Sequence, residues 1–150
     1  MKKQILPYLF SIIFFPILST YAFATSPDYI QSKDTTKVCN KDKLVVLWTS
    51  TDREVALKMV FMYTYNANNY QWWDEITLLV WGPSQKLLTE DKELQEYVKK
   101  MIDYGIEVLA CKGCADQYEI SDELEKIGVI VRYTGVDLTN FIKERHVITF

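Results

Sequence analysis

The sequence predicts an α/β protein built on a parallel sheet with helices on both faces. Three apolar runs have the length and composition of buried strands, namely Leu44–Thr49, Ile76–Trp81 and Ile106–Ala110. Segments with helical spacing of apolar residues separate them, so strands and helices alternate along the chain. Two further strands are expected near the carboxyl end, at Val129–Tyr133 and His146–Phe150.

The first residues have the pattern of a secretory signal peptide. Lys2 and Lys3 precede an uncharged apolar run from Ile5 to Leu18, and Ala22–Ala24 has the small-x-small pattern of a cleavage site. We expect cleavage after residue 24 and a periplasmic or secreted protein. An uncleaved membrane anchor is the alternative, although two prolines within the run fit it less well. Residues 25–42 are polar and lack periodicity, which predicts a linker before a domain at residues 43–150.

Composition and motifs exclude several function classes. The formal charge of the chain is −3, and loss of the two leader lysines makes the mature protein more acidic. An acidic domain without a basic block is a poor partner for nucleic acid or for an anionic membrane surface. The sequence also lacks a phosphate-binding glycine loop, a Walker lysine motif and a His-Glu-x-x-His motif. Nucleotide enzymes and metalloproteases are therefore disfavoured, and we expect no cofactor and no metal.

Helix boundaries follow from capping patterns. Thr51-Asp52-Arg53-Glu54 has the form of a capping box and predicts a helix that ends within Asn66–Asn69. This helix is apolar on nearly all sides, which predicts a contact between subunits. After the Gly82-Pro83-Ser84 turn we expect a short helix capped by Ser84 and then a longer one up to Gly105. Three further helices are predicted, after Ala110, after the cap at Ser121–Glu123 and from Asp137.

The turn from Ala110 to Ala115 carries the residues most suited to chemistry. Cys111 lies between a buried strand and the start of a helix, where the positive end of the helix dipole favours a thiolate. Lys112 adds a neighbouring cation. In an open parallel sheet, reacting groups gather outside the carboxyl ends of the strands, which is where this turn is placed.

Cys111 and Cys114 form a Cys-x-x-Cys pair with several interpretations. A thioredoxin-like couple is disfavoured, because no proline follows Pro83. Half of a zinc site, completed by Cys39 and His146, matches no common spacing. A third interpretation is a reactive thiol at Cys111, with Cys114 as resolving partner or packing residue. A local disulfide or two small buried residues without a catalytic role is the structural alternative.

The other candidate residues are predicted to lie apart from the turn or to serve packing. Cys39 precedes the amino end of the first strand, about 20 Å from the carboxyl edge for a six-residue strand. A disulfide needs Cα atoms within about 7 Å, so Cys39 is expected to be free or to pair with another chain. His146 begins the last strand, at the edge opposite Cys111. Trp48 and Trp81 end strands on the carboxyl side and are candidates to wall a pocket near Cys111.

Three segments give the chain a resemblance to a known family, namely Leu44–Ser50, Trp81–Ser84 and Gly105–Cys111. From about Leu44 to Phe150 the chain resembles the DsrE/DsrF-like family of small sulfur-handling proteins. The resemblance implies a three-layer α/β/α fold with flavodoxin-type layering and a five-stranded, mostly parallel sheet. It also implies a homotrimer or homohexamer, and a persulfide-carrying cysteine at the position of Cys111. A protein that donates or accepts sulfur would then be the partner.

Two hypotheses follow for this exported chain. In the first, Cys111 accepts sulfur or another thiol-linked group, Lys112 and the helix start stabilise its thiolate, and Cys114 resolves the product. In the second, the domain is a non-catalytic oligomeric binding module in which the Cys-x-x-Cys pair is structural.

Overall fold

A computed structural model describes residues 42–150. The predicted signal peptide, the linker up to residue 41 and the expectations for Cys39 lie outside the described residues. None of the helices within residues 42–150 combines the length and the apolar character needed to cross a membrane.

Strands and helices alternate throughout the described domain. The strands are β1 (Lys43–Trp48), β2 (Glu75–Val80), β3 (Glu107–Cys111), β4 (Ile130–Arg132) and β5 (His146–Thr149). The first connection is α1 (Arg53–Val55), a π-helical segment (Ala56–Phe61) and α2 (Met62–Asn69) in direct succession. The later helices are α3 (Pro83–Glu90), α4 (Lys92–Asp103), α5 (Lys112–Tyr118), α6 (Ser121–Lys126) and α7 (Gly135–Glu144).

The five strands form one sheet in the order β4-β3-β2-β1-β5, and every neighbouring pair is parallel. The predicted α/β class with a parallel five-stranded sheet is therefore confirmed. The order, which sequence patterns left open, also explains where the helices lie. From β1 to β4 each crossover moves one strand in the same direction, so right-handed connections place helices α1 to α6 on one face. The return from β4 to β5 runs the opposite way and places α7 on the other face.

Alternate strand residues build the two halves of the core. Leu44, Leu78 and Ala110 point into the larger cluster, which also contains side chains from the helices on the α1–α6 face of the sheet. Val45, Leu79 and Leu109 point to the other side, where Phe141 of α7 covers them. The three layers are thus unequal, because a single described helix covers the second face.

Several element boundaries differ from those predicted. The N-cap of α1 is Asp52, whose carboxylate accepts the backbone N–H groups of Glu54 and Val55, so the predicted capping box at Thr51 is wrong by one residue. The predicted caps at Ser121 and Asp137 are also displaced, because α6 follows Ile120 and α7 starts at Gly135. Ser84 does not cap α3 either, since Gly82 occupies that position.

The first helical connection buries Val60 and Phe61 but leaves Met59 and Met62 about half exposed, at 48% and 47%. Met59, Val60 and Phe61 belong to the π-helical segment, and Met62 follows it directly. Such segments often occur at functional positions. The apolar outer side is compatible with the predicted contact between subunits, which stays a prediction.

Asp91→Ala should lower the free energy of unfolding by about 1–2 kcal/mol at neutral pH, measured by urea denaturation. The Asp91 carboxylate caps α4 through the N–H groups of Glu93 and Leu94 and also accepts a 2.7 Å hydrogen bond from Arg53. Arg53 and these N–H groups lower the pKa of Asp91 below its ordinary value, against the effect of burial. The stabilisation is therefore present above the ordinary carboxyl pKa and disappears as the pH falls through the lowered one.

Asp91→Asn is the matched control, because an amide oxygen still caps the helix while the charge is absent. We expect it to lose less stability than Asp91→Ala. Equal losses at neutral pH would contradict the capping role and leave only the pairing with Arg53.

Candidate thiol site

Cys111 lies at the carboxyl edge of the sheet, where it ends β3 and also serves as the N-cap residue of α5. β3 runs between β2 and β4, so loops from both neighbours border the cysteine. The residue is buried, with 7% of its surface exposed, and its thiol is free. The strand-to-helix position predicted for Cys111 is the one that the chain adopts.

The polar groups near the Cys111 sulfur set the direction of its pKa shift. Burial alone raises the pKa of this thiol, because a thiolate is poorly solvated inside the protein. The backbone N–H groups of Cys114 and Gly113, the Thr134 hydroxyl and the Cys114 thiol act in the opposite direction. Together they outweigh burial and hold the pKa of Cys111 below that of an ordinary thiol. The site therefore favours the nucleophilic form of the cysteine.

Thr134, which follows β4, contributes the least expected of these donors. Its side chain is fully buried, yet its hydroxyl has no conventional hydrogen-bond partner within the described domain. The hydroxyl nevertheless lowers the pKa of the Cys111 thiol. A charged acceptor forms stronger hydrogen bonds than a neutral one, so this hydroxyl gains an effective partner when Cys111 is a thiolate. Ionisation of Cys111 thus satisfies an otherwise unpaired buried donor.

The pKa of Cys114 is shifted in the opposite direction to that of Cys111. Its side chain is half-buried, and it is the third residue of α5, one helical turn from Cys111. Burial raises the pKa of Cys114, and so do its hydrogen bond to Cys111 and the charge there, while the Gly82 N–H partly offsets them. Of the two thiols, Cys111 is the one that ionises first. Cys114 then remains protonated and donates to it.

Lys112 follows Cys111 in the sequence, but its ammonium group pairs with Asp116. Its ammonium nitrogen is 2.6 Å from Oδ1 of Asp116 and 5.9 Å from the centre of the Tyr133 ring. Asp116 raises the pKa of Lys112, and Lys112 is not among the main groups that shift the pKa of Cys111. No direct contact between Lys112 and the Cys111 sulfur therefore accompanies the predicted stabilisation of the thiolate. Backbone N–H groups and Thr134 are the groups that lower the pKa of Cys111.

Gln85 holds the reactive turn from the side of α3. Its Nε2 atom donates to the carbonyl oxygens of Val80 and Cys111, each at 3.1 Å, and its side chain is fully buried. The neighbouring Ser84 hydroxyl donates to the Trp48 carbonyl at 2.7 Å. These bonds fix the start of α3 against the carboxyl edges of β1, β2 and β3.

The turn before α3 requires glycine. Gly82 has φ of 67° and ψ of −132°, a combination that other residues adopt only with strain. This conformation directs the Gly82 N–H toward Cys114. The segment Trp81–Ser84, singled out in the sequence, therefore forms one side of the thiol site.

Trp48 and Trp81, the two tryptophans predicted to wall a pocket, differ in burial. Trp48 is fully buried and packs edge-on against Phe61 with ring centres 5.1 Å apart, so it belongs to the core and cannot wall an open pocket. Trp81 is half-buried and packs against the smaller core cluster. His146 is exposed at the amino end of β5, away from Cys111, and its ring lies 5.1 Å from Trp73. The geometry brings neither His146 nor Trp48 to the thiols.

A family model matches the whole of the described domain, from residue 42 to residue 150. The chain belongs to the DsrE/DsrF-like family. None of the curated proteins matches the chain closely enough to suggest a more specific role.

Two solved structures share the architecture of this DsrE-like domain. BT1422 from Bacteroides thetaiotaomicron, described as a protein of unknown function, is 30% identical with a TM-score of 0.73. The similarity covers 76% of this chain and 99% of that one. The ychN protein from E. coli is 16% identical with a TM-score of 0.56, over 73% of this chain and 99% of the other, and shows a likeness of fold alone.

Proposed function

We propose that this DsrE-like domain is a sulfur carrier that holds a persulfide on Cys111. The observation that carries the proposal is the set of hydrogen-bond donors around the Cys111 sulfur, which favours a thiolate despite burial. A thiolate is the form that attacks a sulfane sulfur. The same donors would accommodate the negative charge of the attacking sulfur. Membership of a family with sulfur-relay members supports this choice of substrate class.

The position of the site limits the reaction. Cys111 has neither a histidine nor a metal-binding cluster beside it within residues 42–150, so its activation depends on hydrogen bonds. The chemistry that this arrangement supports is transfer of a sulfur atom to and from the thiol. A protein that donates or accepts sulfur is the partner that we propose. We also propose that the chain acts in the periplasm or outside the cell, after removal of residues 1–24.

Incubation of the reduced full-length chain with inorganic polysulfide, followed by intact-mass measurement, tests the proposal. Directly after loading, we expect addition of one sulfur, about 32 Da, at the site, and no such addition when Cys111→Ser is combined with Cys39→Ser. Cys39→Ser serves as the control variant and should take up sulfur normally. Addition that persists in the chain with both Cys39→Ser and Cys111→Ser would contradict the assignment of Cys111 as the acceptor.

The second candidate function is an oligomeric binding module in which the cysteines are structural. A groove of about 400 Å³ favours it, because Met59, Met62 and Trp72 expose apolar surface there beside Phe150. Apolar surface left open on a small domain is typical of an interaction site. This candidate predicts a stable homo-oligomer by light scattering together with no sulfur uptake. Sulfur uptake at Cys111 would decide against a purely structural role for the thiols.

A further inference from the structure

We propose that Cys114 is the resolving thiol of this site. It attacks the inner sulfur of a Cys111 persulfide, releases hydrogen sulfide and leaves a disulfide between Cys111 and Cys114. This inference rests on the proposed sulfur-carrying function and states where the carried sulfur goes. Of the proposed partners, the sulfur donor would then be the one that the domain needs, because the sulfur leaves Cys111 as sulfide.

The fold already places the two thiols together. Cys111 is the N-cap residue of α5 and Cys114 is its third residue, positions whose side chains meet across the first turn of a helix, as in a capping box. Each of the two thiols also shifts the pKa of the other, as expected of neighbouring sulfurs. The nucleophile and the sulfur that it attacks are therefore neighbours on the first turn of α5 before the reaction, and both thiols are free.

Loading of Cys111 changes the ionisation of Cys114. In the unloaded site, Cys111 raises the pKa of Cys114 through its hydrogen bond and its charge. When the terminal sulfur of the persulfide is protonated, the group carries no charge, so this opposition to a Cys114 thiolate is weakened and hydrosulfide can leave. The Gly82 N–H, which favours the Cys114 thiolate, belongs to the turn before α3 and does not depend on the charge of Cys111. Cys114 thus becomes a better nucleophile when there is a persulfide to resolve.

The reaction balances without an outside oxidant. The Cys114 thiolate forms a bond to Sγ of Cys111, and the bond from that sulfur to the terminal sulfur breaks. The terminal sulfur leaves with the electron pair as hydrosulfide, and the Cys114 proton completes hydrogen sulfide. The sulfane sulfur is reduced while the two cysteines are oxidised to the disulfide.

The return to the reduced site requires an external dithiol. Cys114 is the more exposed of the two cysteines, so the dithiol reaches its sulfur more easily. Cys111 is then the leaving group, and the donors around its sulfur stabilise the departing thiolate. Thiol–disulfide exchange is fastest when the sulfur that leaves is the better-stabilised thiolate, so the disulfide reopens at Cys114.

Lifetime of the added sulfur tests the resolving role. Full-length chains, all with Cys39→Ser, are reduced, loaded with inorganic polysulfide, desalted and followed by intact mass and by a sulfide assay. With both site cysteines present, we expect the added sulfur to disappear at least about tenfold faster than in Cys114→Ser. The product should weigh about 2 Da less than the reduced chain, and sulfide should appear in about equal amount. Cys114→Ala should behave like Cys114→Ser.

Trypsin locates the new bond, because Lys112 separates the two cysteines into the peptides 101–112 and 113–126. These peptides should be linked in the discharged protein. If the chain with both cysteines keeps its sulfur as long as the two Cys114 variants do, the resolving role is wrong although the carrier function stands. If neither Cys114 variant takes up sulfur, the carrier function fails, and the resolving role fails with it.

Discussion

Gln85→Leu is expected to lower the free energy of unfolding by about 1–3 kcal/mol and to slow alkylation of Cys111. The substitution keeps the size of the side chain but removes both hydrogen bonds to the carbonyls of Val80 and Cys111. Because Gln85 is fully buried, no solvent reaches those carbonyls to replace the lost donors. The start of α3 then loses its link to β3, and the turn that presents the Cys111 sulfur becomes less well defined. Urea denaturation and iodoacetamide labelling at fixed pH measure the two effects.

Gln95→Leu is the matched control for this substitution. Gln95 is a half-buried glutamine on α4 that donates one 2.8 Å hydrogen bond, to the Thr89 carbonyl, far from the thiols. We expect a stability loss of less than about 1 kcal/mol and no change in Cys111 labelling. If Gln85→Leu were as mild as Gln95→Leu in both measurements, the role of Gln85 in holding the reactive turn would be refuted.

Thr134→Val is expected to slow alkylation of Cys111 roughly 3- to 10-fold near pH 7 without loss of stability. Valine has nearly the shape of threonine but lacks the hydroxyl that lowers the pKa of Cys111. The loss raises the pKa of the thiol, so a smaller fraction is ionised at neutral pH. Stability should be unchanged or higher, because the Thr134 hydroxyl has no conventional partner in the described domain and its burial is costly.

Thr139→Val serves as the control, since Thr139 is exposed on α7 and its hydroxyl donates only to the Gly135 carbonyl of its own helix. It should leave the labelling rate of Cys111 unchanged. A Thr134→Val protein that is destabilised and yet labels normally would assign the hydroxyl to the packing of the β4–α7 turn instead of to the sulfur.

The fold class could be predicted because its signals are local. β1 is an unbroken apolar run, and strands followed by helical periodicity identify a parallel sheet without any knowledge of contacts. Cap positions were less predictable, since Thr51 and Asp52 are both good N-cap residues and only the backbone conformation selects Asp52. The unequal cover of the two sheet faces depends on strand order, which the periodicity of a single chain does not contain.

The candidate site was predictable only in part. Cys111 and Cys114 stand out by residue type and by their place after a buried strand, and the structure places both on the first turn of α5. Thr134 lies 23 positions beyond Cys111 in the sequence and reaches it only because β4 pairs with β3. Gln85 has no local sign of its role, since its contact with the Cys111 carbonyl spans 26 residues. Lys112 is the reverse case, because it is next to Cys111 in the sequence while its ammonium group pairs with Asp116.

The ionisation order of the two site cysteines tests the central claim most directly. The full-length chain is reduced and pulse-labelled with iodoacetamide from pH 5 to 10, and trypsin then separates Cys111 and Cys114 into different peptides at Lys112. The structure predicts that Cys111 reaches half of its maximal labelling rate below the ordinary thiol value of about 8.5, and that Cys114 does so above it. A Cys111 profile equal to that of a free cysteine peptide, or labelling of Cys114 before Cys111, would contradict the account.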